Sequence, residues 1–281
     1  MIFIVNPNSG TGPKDAVFSR LESAGYKVVY TQYQGHAEEI ARQATERIVV
    51  AVGGDGTVNE VARGIYGTDK VLGIIPCGSG DGLALHLGIS RKFAKALDTV
   101  LNGKIYPIDA GTINGRMFFS VCGLGFDAIV SERFAKSQKR GLISYVELGM
   151  EVWREFQPDK YQITIDDKTW ESHAALITVA NSSQWGNGAK IAPLADISDG
   201  LLDVTIADMF TSVEMPALAC LLMTGHLDMS HRIHCHKGRD IRISRKASGP
   251  AHADGDWFEA GTEIEIHVIP RALNVLVPDK D

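Results

Sequence analysis

Ile48-Val49-Val50-Ala51-Val52-Gly53-Gly54-Asp55-Gly56-Thr57-Val58-Asn59-Glu60 joins three kinds of signal in one stretch. Ile48–Val52 is a short β-branched run closed by a turn residue, which predicts a strand, and Val58–Tyr66 carries helical spacing. The glycines between them let backbone N–H groups approach a phosphate with no side chain in the way. A helix N-terminus just behind adds a favourable dipole. Asp55 would repel a bare phosphate, so a carboxylate there fits if Mg²⁺ lies between the two. One such turn, taken alone, is also what a tight connection requiring positive φ produces.

The pattern repeats on either side. Ile2–Val5, Lys27–Thr31 and Val71–Ile75 are further strand candidates, and Pro13–Ala24 and His36–Thr45 have helical patterns. Strands alternating with helices predict a parallel sheet with helices on its faces, which binds ligands at the carboxyl ends of its strands. Asn6-Pro7-Asn8-Ser9-Gly10 follows the first strand and Gly78-Ser79-Gly80-Asp81-Gly82 the fourth. Three glycine-containing turns are thus expected at one sheet edge. Neither a GxxxxGK[ST] loop nor the HRD/DFG set of protein kinases is present.

From about residue 105 the texture changes to short alternating runs: Met117–Val121, Tyr161–Asp166, Ala174–Ala180, Leu202–Ala207, Ile241–Ser244 and Ile264–Ile269. Turn signals such as Asp199-Gly200 and Asp254-Gly255 separate them. This predicts an antiparallel β-sandwich, with helical inserts near Ser144–Phe156 and Ser212–Thr224. The expected division is an α/β domain over 1–108 and a sandwich domain over 109–270, with 271–281 able to rejoin the first.

The chain has 281 residues, 44% hydrophobic and 22% charged, which suits two moderate soluble domains. A net charge of -6 argues against nucleic acid as a partner. Cys77, Cys122, Cys220 and Cys235 form no CxxC pair and read as reduced, mostly buried thiols. MIFIVNPNSG lacks a basic leader region, and no apolar run approaches the roughly 20 residues of a membrane span.

In order and spacing, Asn6–Gly10, GGDGTVNE at Gly53–Glu60 and PCGSGDGLA at Pro76–Ala84 resemble the diacylglycerol kinase catalytic family, which includes bacterial lipid kinases and sphingosine kinases. The resemblance runs over essentially the whole chain. It implies an α/β nucleotide domain followed by a β-sandwich, with ATP and Mg²⁺ as cofactors. Asn6, Pro7, Asn8, Ser9, Gly10, Thr31, Gly54, Asp55, Gly56, Thr57, Val58, Asn59, Glu60 and Ser79 would line the nucleotide. Asp55 would also join the network around catalytic Mg²⁺.

Ala253-Asp254-Gly255-Asp256 resembles the family's V-D-G-E. The resemblance makes Asp254 the base that accepts the hydroxyl proton, and Asp256, in place of Glu, a Mg²⁺ partner. Asp-Gly is equally a hairpin-turn signal. Pro193–Leu201 is similar to the family's P…A…DG, where Asp196, Asp199 and the Leu201 carbonyl would hold a structural Mg²⁺; an ordinary acidic turn reads the same way.

Three features depart from the family or imitate something else. The family block usually reads GTGND, whereas Gly82 stands at its second acidic position and Asp81 one residue early. Gly123–Ala128 mimics a dinucleotide GxGxxA but falls after the α/β pattern ends; it better resembles the family's GFDA segment. Asp81 and Asp127 are therefore the candidate substrate contacts. His231, His234, Cys235 and His236 read as a polar strand face rather than a zinc site. Met215–Met223 reads as core, although an exposed stretch of that kind would suit a bilayer surface.

The expectation is an ATP-dependent lipid kinase acting on diacylglycerol or a sphingoid-type long-chain base. It would be cytoplasmic and transiently membrane-associated, meeting its lipid at the membrane surface, with no transmembrane segment and with a homodimer left open. The alternatives are a kinase of a soluble alcohol such as NAD, and a non-catalytic nucleotide-binding regulator of the same fold.

Overall fold

The computed structural model describes residues 1–10, 20–137 and 142–279. Most of the helix expected over Pro13–Ala24 lies outside them; residues 20–23 are helical. Two compact units divide the chain, Met1–Asp109 with Arg271–Asp281, and Ala110–Pro270.

In the first unit, β1 (Ile2–Val5), β2 (Lys27–Tyr30), β3 (Ile48–Gly53) and β4 (Val71–Pro76) form a parallel sheet in the order β2-β1-β3-β4. Asn274 and Val275 add a further parallel strand beside Val71 and Leu72. The β-branched runs of β1, β3 and β4 are buried almost throughout, while edge strand β2 is half exposed. That burial is why the central runs are continuously apolar instead of alternating.

Helices α1 (His36–Gln43) and α2 (Asp55–Ile65) pack closely. A β-carbon at Gly64 would lie 2.6 Å from the Glu38 carbonyl oxygen and 2.7 Å from Ala41 Cβ. Helix α2 begins at Asp55 rather than at Val58. Gly54 is its N-cap and its carbonyl accepts the Val58 N–H at 3.1 Å, so the glycine turn is the helix's own first turn. The short α3 (Gly82–His86) and α4 (Phe93–Asn102) follow β4. Where the chain leaves and re-enters this unit, buried Asp109 accepts the Arg271 N–H at 2.7 Å.

The second unit contains β5 (Lys104–Ile113, which starts just ahead of it), β6 (Arg116–Phe118), β7 (Val121–Gly125), α5 (Phe126–Lys136), α6 (Leu142–Glu155), β8 (Asp159–Ile165), β9 (Lys168–Ala174) and β10 (Leu176–Ala180). It continues through β11 (Leu202–Ala207), α7 (Met215–Thr224), β12 (Ile233–Gly238), β13 (Asp240–Arg245), β14 (Gly249–Ala253), β15 (Asp256–Ala260) and the start of β16 (Glu263–Val277). One antiparallel sheet runs β12-β11-β10-β7-β14-β15, and the other pairs β9-β8-β13 with residues 263–267 of β16. Strict alternation buries Tyr161, Ile163 and Ile165, then Ile241 and Ile243, then Ile264 and Ile266. They share one core with Leu124, Ile177, Val179, Val204 and Ile206 of the first sheet. Each such side chain contributes about 1.5–3 kcal/mol by leaving water.

Several expectations are corrected here. Met117–Val121 is not one strand: β6 stops at Phe118 and β7 starts at Val121, because the intervening amides bond the Asp254 carboxylate instead of a ladder. Ala174–Ala180 is divided between β9 and β10. Helix α7 is core on one face only: Leu218 is buried and Leu221 and Leu222 pack beside it on a core cluster of the second unit, while Met223 is 53% exposed. Of the four free thiols, Cys122 is buried and Cys77 partly so, whereas Cys220 and Cys235 are exposed. His234 bonds Asp208 at 2.9 Å and His236 packs on Trp170, as suits a polar strand face.

Candidate active site

In the first unit, ladder bonds carry the strands past their last residues. Asn6 N–H donates to the Val52 carbonyl at 3.0 Å, Cys77 N–H to Gly53 at 2.8 Å and Thr31 N–H to Val5 at 2.9 Å. The turns that follow touch one another. A β-carbon at Gly10 (φ +69°) would collide with the Cys77 carbonyl oxygen, and one at Gly54 would lie 3.1 Å from Gly78 Cα. Asn6 Nδ2 donates to Thr57 Oγ1 at 3.1 Å while its Oδ1 accepts the Asn8 N–H at 2.9 Å. Ser9 Oγ stands 3.4 Å from the Gly54 amide.

Asn6, Pro7, Asn8, Ser9, Gly10, Gly54, Asp55, Gly56, Thr57 and Ser79 therefore belong to one sheet edge, with Thr31 at the neighbouring strand end. Val58 and Asn59 are buried in α2. The Glu60 carboxylate accepts N–H groups of Gly35 (2.8 Å) and Ala37 (3.1 Å), holding the start of α1. No side chain caps α2 at Gly54. An uncapped first turn behind glycine-rich backbone is suited to an anion.

Both oxygens of Asp55 accept backbone N–H groups at the start of α3, from Asp81 and Gly82, each at 2.8 Å. Asp81, 3% exposed and at φ 50°, turns inward. Its Oδ1 accepts the Gly78 N–H at 2.9 Å and its Oδ2 the Arg91 Nε–H at 3.0 Å. Burial pushes the Asp81 carboxyl above its ordinary pKa; the Gly78 amide and Arg91 pull the other way. Arg91 also donates to the Ser79 and Gly80 carbonyls at 2.9 and 2.7 Å. Asp81 thus organises the turn from within.

In the second unit, Asp254 (φ 49°) and Gly255 (φ 85°) form the two-residue connection between β14 and β15. Left-handed φ at both positions is the hairpin geometry that Asp-Gly favours. The same residue carries a polar constellation. Asp254 Oδ1 accepts N–H groups of Ser120 (2.8 Å) and Val121 (2.9 Å), and Oδ2 that of Phe119 (2.8 Å). The residue as a whole is half-buried, but its carboxylate is desolvated. This raises its pKa against the lowering by the three amides and by His252. Three of four accepting positions are filled by described residues, which leaves one on Oδ2 for a proton. Asp256 is exposed, at the start of β15.

Asp127 lies in the first turn of α5, 5% exposed. Its Oδ2 accepts the Thr178 hydroxyl at 3.1 Å and stands 3.2 Å from His252 Nε2; its Oδ1 accepts the Ala128 N–H at 2.8 Å. The Gly255 N–H points to His252 Nδ1 at 3.4 Å, so the imidazole links Asp127 to the hairpin turn. Gly123 is required because a β-carbon there would collide with Asp127 Oδ2 and His252 Nε2. The segment that mimics a dinucleotide fingerprint is therefore a central antiparallel strand leading into α5.

The turn around Asp196, Asp199 and Leu201 holds a cation of its own. Lys237 Nζ donates to Asp199 Oδ2 at 3.0 Å and lies 3.2 Å from Asp203 Oδ2. Among the described residues, no three His, Cys, Asp or Glu side chains are gathered so as to hold a metal ion. A divalent cation does not fit this turn while the ammonium is there.

Arg91, Thr178, His252 and Lys237 were not among the sequence candidates. His252 carried a weak signal, standing two residues before Asp254, the spacing that shares one face of a strand. Arg91, Thr178 and Lys237 carried none.

Three turns packed at the edge of a parallel sheet, followed by an antiparallel unit with a desolvated aspartate, define a protein of two-unit α/β-plus-β design. Residues 1–113 match the diacylglycerol kinase catalytic domain, and residues 120–277 the YegS C-terminal NAD kinase beta sandwich-like domain. The chain is 30% identical to a diacylglycerol kinase of Bacillus subtilis (strain 168) over 269 residues, covering 90% of this chain and 88% of that one. It belongs to the diacylglycerol kinase catalytic-domain family. A crystal structure of a diacylglycerol kinase from Bacillus anthracis shares the fold, with a TM-score of 0.78 at 20% identity over 99% of this chain and 96% of that one. An Archaeoglobus fulgidus NAD kinase in complex with ATP is more distant, at 0.57 and 11% over 99% and 94%.

Proposed function

We propose that the protein transfers the γ-phosphate of ATP to a lipid hydroxyl, of a diacylglycerol or a sphingoid-type long-chain base. The observation that carries this reading is the mutual packing of the Asn6–Gly10, Gly53–Thr57 and Gly78–Gly82 turns, which gathers glycine-rich backbone and the N-terminus of α2 at one sheet edge, the arrangement that suits phosphates. Asp254 is the proposed base, accepting the hydroxyl proton at the remaining position on Oδ2. A raised pKa makes it a better proton acceptor than an ordinary aspartate. Asp256, exposed beside it, is the proposed Mg²⁺ partner.

Asp55 would serve Mg²⁺ through water, since its oxygens hold the start of α3 and Mg²⁺ keeps several waters. When bound, the ion would neutralise charge on the phosphates. Asp81 and Asp127 are both buried and bonded, so in this reading they shape the substrate site from behind rather than touch the lipid.

Among the described residues no helix is long and apolar enough to cross a membrane. The exposed face of α7 supports a lipid met at the bilayer surface. Radiolabelled ATP supplied with diacylglycerol, sphinganine or NAD in separate reactions tests the proposal. Label in either lipid is the expected result; label in NAD alone, or ATP binding with no transfer to any acceptor, would overturn it.

A further inference from the structure

The resemblance to lipid kinases implies a structural divalent cation on Asp196, Asp199 and the Leu201 carbonyl, and the structure fills that turn in another way. Lys237 lies directly opposite Asp203 in the antiparallel β11–β12 register, so strand pairing itself delivers the ammonium to this place. Its Nζ donates to Asp199 Oδ2 at 3.0 Å and to the Leu194 carbonyl at 3.4 Å, and stands 3.2 Å from Asp203 Oδ2. Two further carboxylate oxygens of the turn are committed to its own backbone and to Ser198. Asp199 Oδ1 takes the Leu201 N–H at 2.9 Å, and Asp196 Oδ1 takes the Ser198 N–H and hydroxyl at 3.0 and 2.8 Å.

The electrostatics point the same way. Burial raises the Asp203 carboxyl above its ordinary pKa and Asp199 and Asp196 raise it further, while Lys237 draws it back. Burial alone would lower the Lys237 ammonium, yet Asp199 and Asp203 hold it above its usual value. A divalent ion placed here would meet a resident positive charge.

We propose that the Lys237 ammonium is the built-in counter-ion of the Asp196–Asp203 turn and replaces a structural metal, so that folding of this unit does not depend on a divalent cation. The test is thermal unfolding of the full chain without nucleotide, in EDTA and in millimolar Mg²⁺ or Ca²⁺, with metal content measured after gel filtration. Wild type should show the same Tm in all three buffers and carry no stoichiometric Mg²⁺ or Ca²⁺. Lys237→Met should melt several degrees lower in EDTA and recover part of the loss in Ca²⁺ or Mg²⁺, because the acidic turn then lacks its cation. A wild-type Tm that rises with either ion and ceases to do so in Asp199→Asn would overturn the proposal, as would stoichiometric metal lost in that variant. Should Lys237→Met fail to fold, the wild-type melting and metal content still decide.

Discussion

Gly54 and Gly78 meet backbone to backbone, so that a β-carbon on Gly78 would lie 2.7 Å from Gly54 Cα and 2.7 Å from Asp81 Oδ1. Such separations leave no room for a methyl group. The contact joins the turn after β3 to the turn after β4; it dictates glycine at Gly78 and leaves little room at Gly54, where a β-carbon would lie 3.1 Å from Gly78 Cα.

Gly78→Ala should therefore destabilise the first unit by about 1–3 kcal/mol through overpacking and weaken nucleotide binding. Gly56 makes the informative comparison, being exposed in the first turn of α2 with nothing near its missing β-carbon. Gly56→Ala should leave Tm unchanged or raise it, since alanine favours a helix by about 1 kcal/mol. If its backbone approaches phosphate as proposed, ATP affinity should nonetheless fall. Thermal melts and a fluorescent ATP analogue separate the two effects. Unaltered ATP affinity in both variants would remove these turns from the nucleotide site.

Asp254→Asn should lower kcat for lipid phosphorylation by about 10²–10⁴-fold with ATP binding intact. The amide nitrogen would also face the Phe119 N–H, two donors together, at a cost of about 1–3 kcal/mol in urea unfolding. In the wild type the acid limb of kcat against pH should lie above the ordinary aspartate range, because the ionised base is what accepts the proton. Near-normal turnover by a folded Asp254→Asn protein would exclude it as the base.

His252 and Asp127 are coupled across 125 residues of chain at 3.2 Å, both nearly fully buried. His252→Ala and Asp127→Ala should be non-additive, with a coupling of about 0.5–3 kcal/mol in a double-mutant cycle. Because the imidazole also receives the Gly255 N–H, His252→Ala should reduce kcat while KM for ATP holds. Strictly additive stabilities would show that the two side chains do not act together.

Arg91 restrains a buried carboxylate, and the sign of its pH dependence follows. The folded-state pKa of Asp81 is raised, so its contribution to stability is complete below about pH 4 and declines as pH rises through the folded value. Arg91→Met would raise that value further. Its destabilisation should therefore grow between about pH 4 and 7, reaching about 1–3 kcal/mol, at the modest end because the Arg91 side chain is 40% exposed. Asp81→Asn in the same chain should flatten the trend. Urea titrations across that range measure both, and a pH-independent cost would refute the pairing.

Much of the fold is legible residue by residue. Ile2–Val5, Lys27–Tyr30 and Leu202–Ala207 announce themselves because β-branched runs ended by turn residues have few other uses. Phe119 and Ser120 were misread as strand interior because the carboxylate that takes their amides lies more than 130 positions away. Met215–Met223 was read as core throughout, whereas one face alone is covered, because composition records how apolar a helix is, not which of its residues something covers.

The glycine turns at the strand ends, the parallel sheet behind them and the change to antiparallel pairing near residue 105 follow from sequence alone. Each rests on local dihedral preference and on which face a side chain takes. What tertiary structure decided is the distant partner of each acidic side chain in the candidate sites. Backbone amides of Asp81 and Gly82 hold Asp55, those of Phe119–Val121 hold Asp254, His252 meets Asp127, and Lys237 answers Asp199 and Asp203. Strand register and loop packing bring those partners from distant parts of the chain, and local spacing carries no record of them.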